Sequence, residues 1–318
     1  MTPAGNCADF VPPTRSMSAP ADSVLTLRDL EGWHFAGTAL AVLGHPIGHS
    51  LSPRMHQAAL AALARKDSQY ATWRYFRFDI DPADLARALP LFHARGFHGL
   101  NLTVPHKVIA VPLLREIDWA ARAAGATNTL VRRSEGWHGR NTDGYGLAAA
   151  LRETLGLELR GANVLLLGAG GAARGAAVEC LQGGCASLAI ANRTPKNLEA
   201  LLRELAPLSG GVPIAACDPL QLPAGAVVVN ATSAGLKPDD PMPIDLAPLP
   251  KPGAVFDMIY NPAETPLLRQ AKALGIPAAN GLAMLVHQGA KALEHWTGIP
   301  AARHAPVMAT ALQEKSPA

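Results

Sequence analysis

Two ionisable residues supply the first hint of chemistry. Lys107 closes the run NLTVPHK (101–107), two residues beyond Pro105, in a chain whose charged residues make up only 17% of the total. A lysine ammonium has a pKa near 10.4 in water, so it works as an acid or base at neutral pH only when its surroundings tune and orient it. Pro105 suits the first position of a helix, which puts Lys107 in the first turn, where the helix dipole disfavours a cation. A second group must hold it. The best candidate is Asp143 in GRNTDG, a carboxylate expected at a turn. Together the two could shuttle a proton to the oxygen of a carbonyl whose carbon receives a hydride. Two solvated surface charges are the alternative, and spacing alone does not separate them.

A hydride needs a carrier, and NVLLLGAGGAARGAAVECL (163–181) has the pattern of a site for one. An apolar strand, a glycine-rich turn and a helix follow one another, and Gly168-x-Gly170-x-x-Ala173 fits the dinucleotide fingerprint with alanine at its third position. Gly168 permits the sharp turn, while Gly170, with Ala169, Gly171 and Ala172 around it, lets a pyrophosphate approach amides at the positive end of the helix. The next strand-like run, SLAIA, leads into NRTPKN. NAD sites usually place an acid here for the ribose hydroxyls. This chain has Asn192 instead, followed by Arg193, Thr194 and Lys196, donors that suit a 2′-phosphate, so NADP is the expected cofactor. A solvated basic turn is the plainer alternative.

These groups need a frame. TALAVLG (38–44), ATWRYFRFDI (71–80) and GLNLTV (99–104) have strand character, with helical spacing in RMHQAALAALARK after Pro53 and in DPADLARALPLFHARG. That rhythm predicts an α/β fold with a mostly parallel, helix-covered sheet. ATNTLVRR and WHGRNT flank Ser134-Glu135-Gly136 as a hairpin, and a helix follows Leu147. VVVNATSAG (227–235) and VFDMIYNP (255–262) are two more buried strands. In an open α/β sheet ligands gather at the carboxyl ends of the strands, so Asn230, Thr232, Ser233 and Tyr260 are expected to face the cleft. GLAMLVHQGAKALEHW (281–296) has helical spacing, with Gln288 on or near its apolar side.

At 318 residues and 49% hydrophobic, the chain can bury the cores of two modest domains. Its net charge of +3 is scattered without a run of like charges, which argues against a nucleic-acid or membrane-surface partner. No stretch has the length and apolarity of a membrane span. Cys7, Cys180, Cys185 and Cys217 form neither a disulfide framework nor a CxxC pair, as befits a reducing cytoplasm. Residues 1–36, rich in Pro, Ala and Ser, read as a mostly disordered tail without a secretory signal.

From about Ala39 to Gly298 the chain resembles the shikimate dehydrogenase family. GHPIGHSLSP is similar to the family's substrate-binding signature and NLTVPHK to its catalytic-lysine segment. GATNTL, NTDGYG, GAGGAARG, ANRT, NATSAG, DMIYNP and NGLAMLVHQ follow in family order. The resemblance implies a substrate domain (37–146), an NADP-binding Rossmann domain (147–280) and carboxyl-terminal helices (281–312) that return to the first domain. It implies that Ser50 and Ser52 bind the shikimate carboxylate, and that Asn101, Thr103, Asn128, Tyr260 and Gln288 contact the rest of the substrate. Lys107 and Asp143 become the catalytic pair, and Thr232, Ser233, Met258 and Gly281 join the cofactor site. No metal is implied, and His45, His49, His106 and His287 are expected to pack or hydrogen-bond. Asn197 stands where the family often has arginine, which leaves 2′-phosphate binding mostly to Arg193 and Thr194; Ala283 replaces a common glycine. A small-molecule substrate is the partner implied, and a homodimer is left open. A quinate/shikimate dehydrogenase with relaxed cofactor use and a non-catalytic sensor on the same fold are the competing readings.

Overall fold

Alternating apolar runs and amphipathic segments resolve into two sheets with their helices in a computed structural model that describes residues 23–217, 221–237 and 239–314. The first sheet comprises β1 (Val24–Thr26), β2 (Thr38–Gly44), β3 (Trp73–Asp79), β4 (Gly99–Leu102), β5 (Glu116–Ile117), β6 (Thr129–Arg133) and β7 (Gly136–Arg140), in the order β1-β3-β2-β4-β6-β7-β5. β2 is buried along all but its first residue. A continuous apolar strand of this kind belongs at the centre of a sheet covered on both faces. Helices α1 (Leu27–Glu31), α2 (Ser52–Ala64), α3 (Leu85–Ala94), α4 (His106–Ile109) and α5 (Trp119–Ala124) accompany it. The sheet is mixed, because the expected hairpin is present and β6 runs antiparallel to both β4 and β7.

One expectation is corrected at the amino end. The tail anticipated through residue 36 gives way at Val24, where β1 pairs in parallel with β3 and α1 follows, with the Thr26 amide and hydroxyl both donating to Asp29 Oδ2. Leu25, Leu30 and Trp33 are buried in the first core, and Trp33 meets Phe76 edge-on with ring centroids 4.8 Å apart. Residues 1–22 lie outside the described residues.

The second sheet is wholly parallel: β8 (Asn163–Leu167), β9 (Ser187–Ala191), β10 (Ile214–Ala216), β11 (Val227–Asn230), β12 (Ala254–Asp257) and β13 (Ala278–Asn280), ordered β10-β9-β8-β11-β12-β13. Chain order reverses between β8 and β11, the crevice where such sheets take ligands. Its helices are α6 (Asp143–Leu155), α7 (Gly171–Gln182), α8 (Pro195–Leu205) and α9 (Pro266–Ala273). α6 begins at Asp143, ahead of the helix expected after Leu147, so the division drawn at 146/147 falls inside it. α10 (Leu282–Thr297) packs on α6, and α11 (Ala301–Gln313) packs on α2. Val286, Ala290, Leu293 and Met308 from these last two helices share a core with Leu40 and Val42 of β2. Both sheets are thereby tied to one helical layer.

That shared core contains His56. Its ring is fully buried and stacks on Tyr75, with centroids 4.1 Å apart and planes 2° from parallel. Neither ring nitrogen has a hydrogen-bond partner among the described residues. Burial pushes the imidazole down to about 3, with His304 nearby as a smaller cause. The unfolded chain therefore binds a proton near 6.5 that the folded chain refuses until about 3. Stability should fall as pH drops through that window, by at most about 1.4 kcal/mol per pH unit for this residue. His295, held at about 4 chiefly by burial, adds to the slope over a narrower range. Denaturant unfolding of His56→Phe between pH 7 and 4 should show a shallower loss than the parent chain; an unchanged slope would mean that His56 does not stay neutral.

Candidate active site

A cleft of about 680 Å³ opens between the carboxyl ends of the two sheets. On the first sheet's side, the loop after β2 brings Ser50 and Ser52 to its wall, and the end of β4 brings Asn101 and Thr103. Ser52 is the first residue of α2 and Pro53 the second, so the two serine hydroxyls stand at the positive end of a 13-residue helix. This end attracts anions. The Ser52 amide donates to Ser50 Oγ at 3.3 Å. Tyr75, whose phenol burial pushes to higher pKa, hydrogen-bonds Ser52 and donates to Asn101 Oδ1 at 2.7 Å.

Lys107 and Asp143 meet in this wall. Lys107 Nζ donates to Asp143 Oδ2 at 2.6 Å, although 36 residues separate them, and both line the cleft. Pro105 is the N-cap of α4 rather than its first residue, and Lys107 lies in the single turn that follows. Asp143 is the first residue of α6, where the dipole favours an acid, rather than part of a preceding turn. Its amide donates to Asn141 Oδ1 at 2.9 Å, and its Oδ1 accepts from Asn128 Nδ2 at 2.8 Å. The carboxylate is held on one side by an amide and offers its other oxygen to the lysine. Burial lowers the pKa of the adjacent His106 imidazole, which therefore brings no second cation to the pair near neutrality.

Asn128 differs from its expected place. It is 1% exposed and does not line the cleft. Its Nδ2 also reaches Thr142 Oγ1 at 3.0 Å and Gln288 Oε1 at 3.3 Å, and its Oδ1 accepts from the Thr142 amide at 2.9 Å. A buried amide with these bonds orients what stands above it. Asn230 is a second correction. It is fully buried, donating to Asp257 Oδ1 at 3.0 Å and accepting from the Thr232 amide and hydroxyl, so it shapes the loop instead of facing the cleft.

Across the cleft stand Gly170, Gly171, Ala172, Thr232, Ser233, Met258, Tyr260, Gly281 and, from α10, Gln288. Gly168 has φ +115°, a conformation that favours glycine, and a Cβ there would come within 3.1 Å of the Ala231 carbonyl. A Cβ at Gly170 would meet only open space, and no side chain of the described residues caps α7 there. The turn thus presents uncovered amides, a fit to pyrophosphate. A Cβ at Gly281 would overlap the Met258 carbonyl. Beyond β9, Arg193, Thr194 and Lys196 are exposed, Asn192 donates to the Thr194 carbonyl at 2.9 Å, and no carboxylate stands in 192–197. A 2′-phosphate fits this turn. Asn192, Arg193, Thr194 and Lys196 lie outside the enclosed cleft, as do Gly168 and Ala169.

Sequence reasoning missed the apolar wall: Ile47, Val104, Leu236, Ile259, Met284 and Leu285 also line the cleft. Ile47, Val104, Leu236 and Ile259 stand singly in loops and carry no periodic signal, and the helical spacing around Met284 and Leu285 does not say which face meets the cleft. Among the described residues no three metal-ligating side chains cluster, and no helix is long and apolar enough to cross a membrane.

Comparison with known proteins accords with this geometry. Residues 42–130 match the family model described as the shikimate dehydrogenase substrate binding domain, and residues 281–313 match the shikimate 5′-dehydrogenase C-terminal domain. The chain is 41% identical over 270 residues to a shikimate dehydrogenase (NADP(+)) of Symbiobacterium thermophilum, covering 82% of this chain and 90% of that one. A relative of the same description from Moorella thermoacetica is 42% identical over 284 residues, covering 86% and 91%. The crystal structure of shikimate 5-dehydrogenase from Thermus thermophilus, in complex with NADP(H) and shikimate, has a TM-score of 0.74 at 34% identity, over 86% of this chain and 99% of that one. With identity of this order across most of both partners, the chain belongs to the shikimate dehydrogenase family.

Proposed function

We propose that this chain is an NADP-dependent oxidoreductase that interconverts 3-dehydroshikimate and shikimate in aromatic amino-acid biosynthesis. The observation that carries the reading is the 2.6 Å contact of Lys107 with Asp143 on a cleft wall between the anion-attracting start of α2 and the glycine turn before α7.

Ser50 and Ser52, at the positive end of α2, bind the substrate carboxylate. Asn101, Thr103, Gln288 and Tyr260 take up the ring hydroxyls, and Asn128 acts through Asp143 and Gln288. Gly168, Ala169, Gly170, Gly171 and Ala172 hold the pyrophosphate, and Asn192, Arg193, Thr194 and Lys196 hold the 2′-phosphate. Thr232, Ser233, Met258 and Gly281 border the nicotinamide. When bound, NADPH supplies a hydride to the C3 carbonyl carbon. Lys107 gives its proton to the oxygen at that carbon, and Asp143 keeps the ammonium aimed and steadies its charge. In oxidation the same pair takes the proton back. We assign the reaction to the cytoplasm and to a chain that works alone or as a homodimer.

Purified protein assayed with shikimate or quinate against NADP⁺ or NAD⁺ should give its highest kcat/KM with shikimate and NADP⁺. A higher value with quinate or NAD⁺ would move the assignment to a quinate/shikimate enzyme, and inactivity with all four pairs would refute it.

A further inference from the structure

One face of β3 presents Tyr75, Arg77 and Asp79 at alternate positions, as a strand must. All three reach towards the substrate end of the cleft. Tyr75 hydrogen-bonds Asn101 and Ser52. Asp79 Oδ1 lies 2.6 Å from His45 Nδ1, at the start of the loop HPIGHSL (45–51). Arg77 Nη1 donates to the Gly48 carbonyl and, at 3.4 Å, to that of Ser50.

Ile47 anchors the first half of that loop in the core it shares with Leu40 and Val42, but residues 48–50 beyond it have no such anchor. A Cβ at Gly48 would meet nothing within 4 Å, so close packing does not fix the backbone there. The Ser50 amide donates to the Ile47 carbonyl at 3.0 Å, which closes the turn but does not tie it to the sheet. The guanidinium ties this second half of the loop to β3. One nitrogen, Nη1, is shared between the two carbonyls, and the rigid guanidinium plane limits how far it can swing away from them. It also fixes a positive charge behind the two serines, where a substrate carboxylate is read to bind.

We infer that Arg77 is a positioning residue for the acid-binding end of the site, holding Gly48 and Ser50 to β3 so that the Ser50 hydroxyl faces the substrate. The inference rests on the substrate reading above for its kinetic consequence, but not for the ordering of the loop. No motif marks Arg77. In the sequence it is one of several polar residues within a strand-like run.

The test compares Arg77→Met and Arg77→Lys with the parent chain by steady-state kinetics and by amide hydrogen exchange in the absence of ligands. Arg77→Met should raise the shikimate KM by about tenfold or more, with kcat within about threefold and the NADP⁺ KM unchanged. Arg77→Lys, which keeps the charge and a donor nitrogen, should recover most of the loss. Amides of residues 48–52 should exchange at least about tenfold faster in Arg77→Met, while those of β2 and β3 hold their rates. Unchanged exchange in the loop, or an equal rise throughout both strands with both Michaelis constants moving together, would overturn the positioning role. A parent chain that does not oxidise shikimate would instead overturn the substrate reading, since the exchange result does not depend on it.

Discussion

Replacing Lys107 with alanine is expected to lower kcat for shikimate oxidation by about 10²–10⁴-fold while moving the shikimate KM by less than about threefold. The expectation follows from where the ammonium sits. It is hydrogen-bonded to Asp143 at 2.6 Å, on a half-buried wall where the side chains are 28% and 17% exposed, so it is aimed before any substrate arrives. Its proposed work, transfer of a proton at the C3 oxygen, is done in the transition state, whereas carboxylate and hydroxyl binding fall to other residues. Removing it should therefore cost turnover rather than ground-state affinity. Collapse of the fold is a poor explanation for such a loss, because Lys107 belongs to a four-residue helix and lies outside the apolar cores. Steady-state assay of Lys107→Ala with saturating NADP⁺ decides the matter. A large rise in KM with kcat preserved would make Lys107 a binding residue and leave the proton without its donor.

How far the sequence speaks for this site depends on which kind of order each residue obeys. TALAVLG is legible as a strand because an unbroken apolar run, Ala39 to Leu43, closed by a glycine has few other uses, and β2 occupies the same residues. β1 is three residues long and follows a Pro-rich stretch, so it has no period to read; only its partner β3 makes it a strand. The start of α6 is masked by Gly144 and Gly146, residues of poor helix propensity. Their reason is tertiary: a Cβ at Gly146 would press on the Met284 carbonyl and Gln288, so glycine lets α10 lie against α6. In the site, the glycine turn and the NRT segment carry their chemistry in local order. Asn128 does not. Its burial and its bond to Asp143 arise from the junction of β6 with the start of α6, which no local pattern encodes. Arg77 is hidden for the same reason, since its partners lie 27 and 29 residues earlier in the chain.

Cofactor choice can be moved at one residue. Arg193→Ala is expected to weaken NADP⁺ by about 1.5–3 kcal/mol, the loss of a charged hydrogen bond, or roughly a 10- to 150-fold rise in its KM. NAD⁺, which has no 2′-phosphate, should change by less than about twofold. Arg193 lies just past β9 and is exposed, so its removal should disturb ligand contact more than the core. The neighbouring residues offer limited replacement. Thr194 can give one hydroxyl, Lys196 is a mobile point charge, and position 197 is asparagine. Because an exposed phosphate is screened, the gap between parent and variant should narrow as salt rises, as the Debye length shortens from about 10 Å at 0.1 M to about 3 Å at 1 M. A deeply buried contact would resist such screening. Initial rates with each cofactor, at low and high salt, separate these outcomes. Equal loss for NADP⁺ and NAD⁺ would take Arg193 out of the 2′-phosphate site and return the NRT turn to a solvated basic loop.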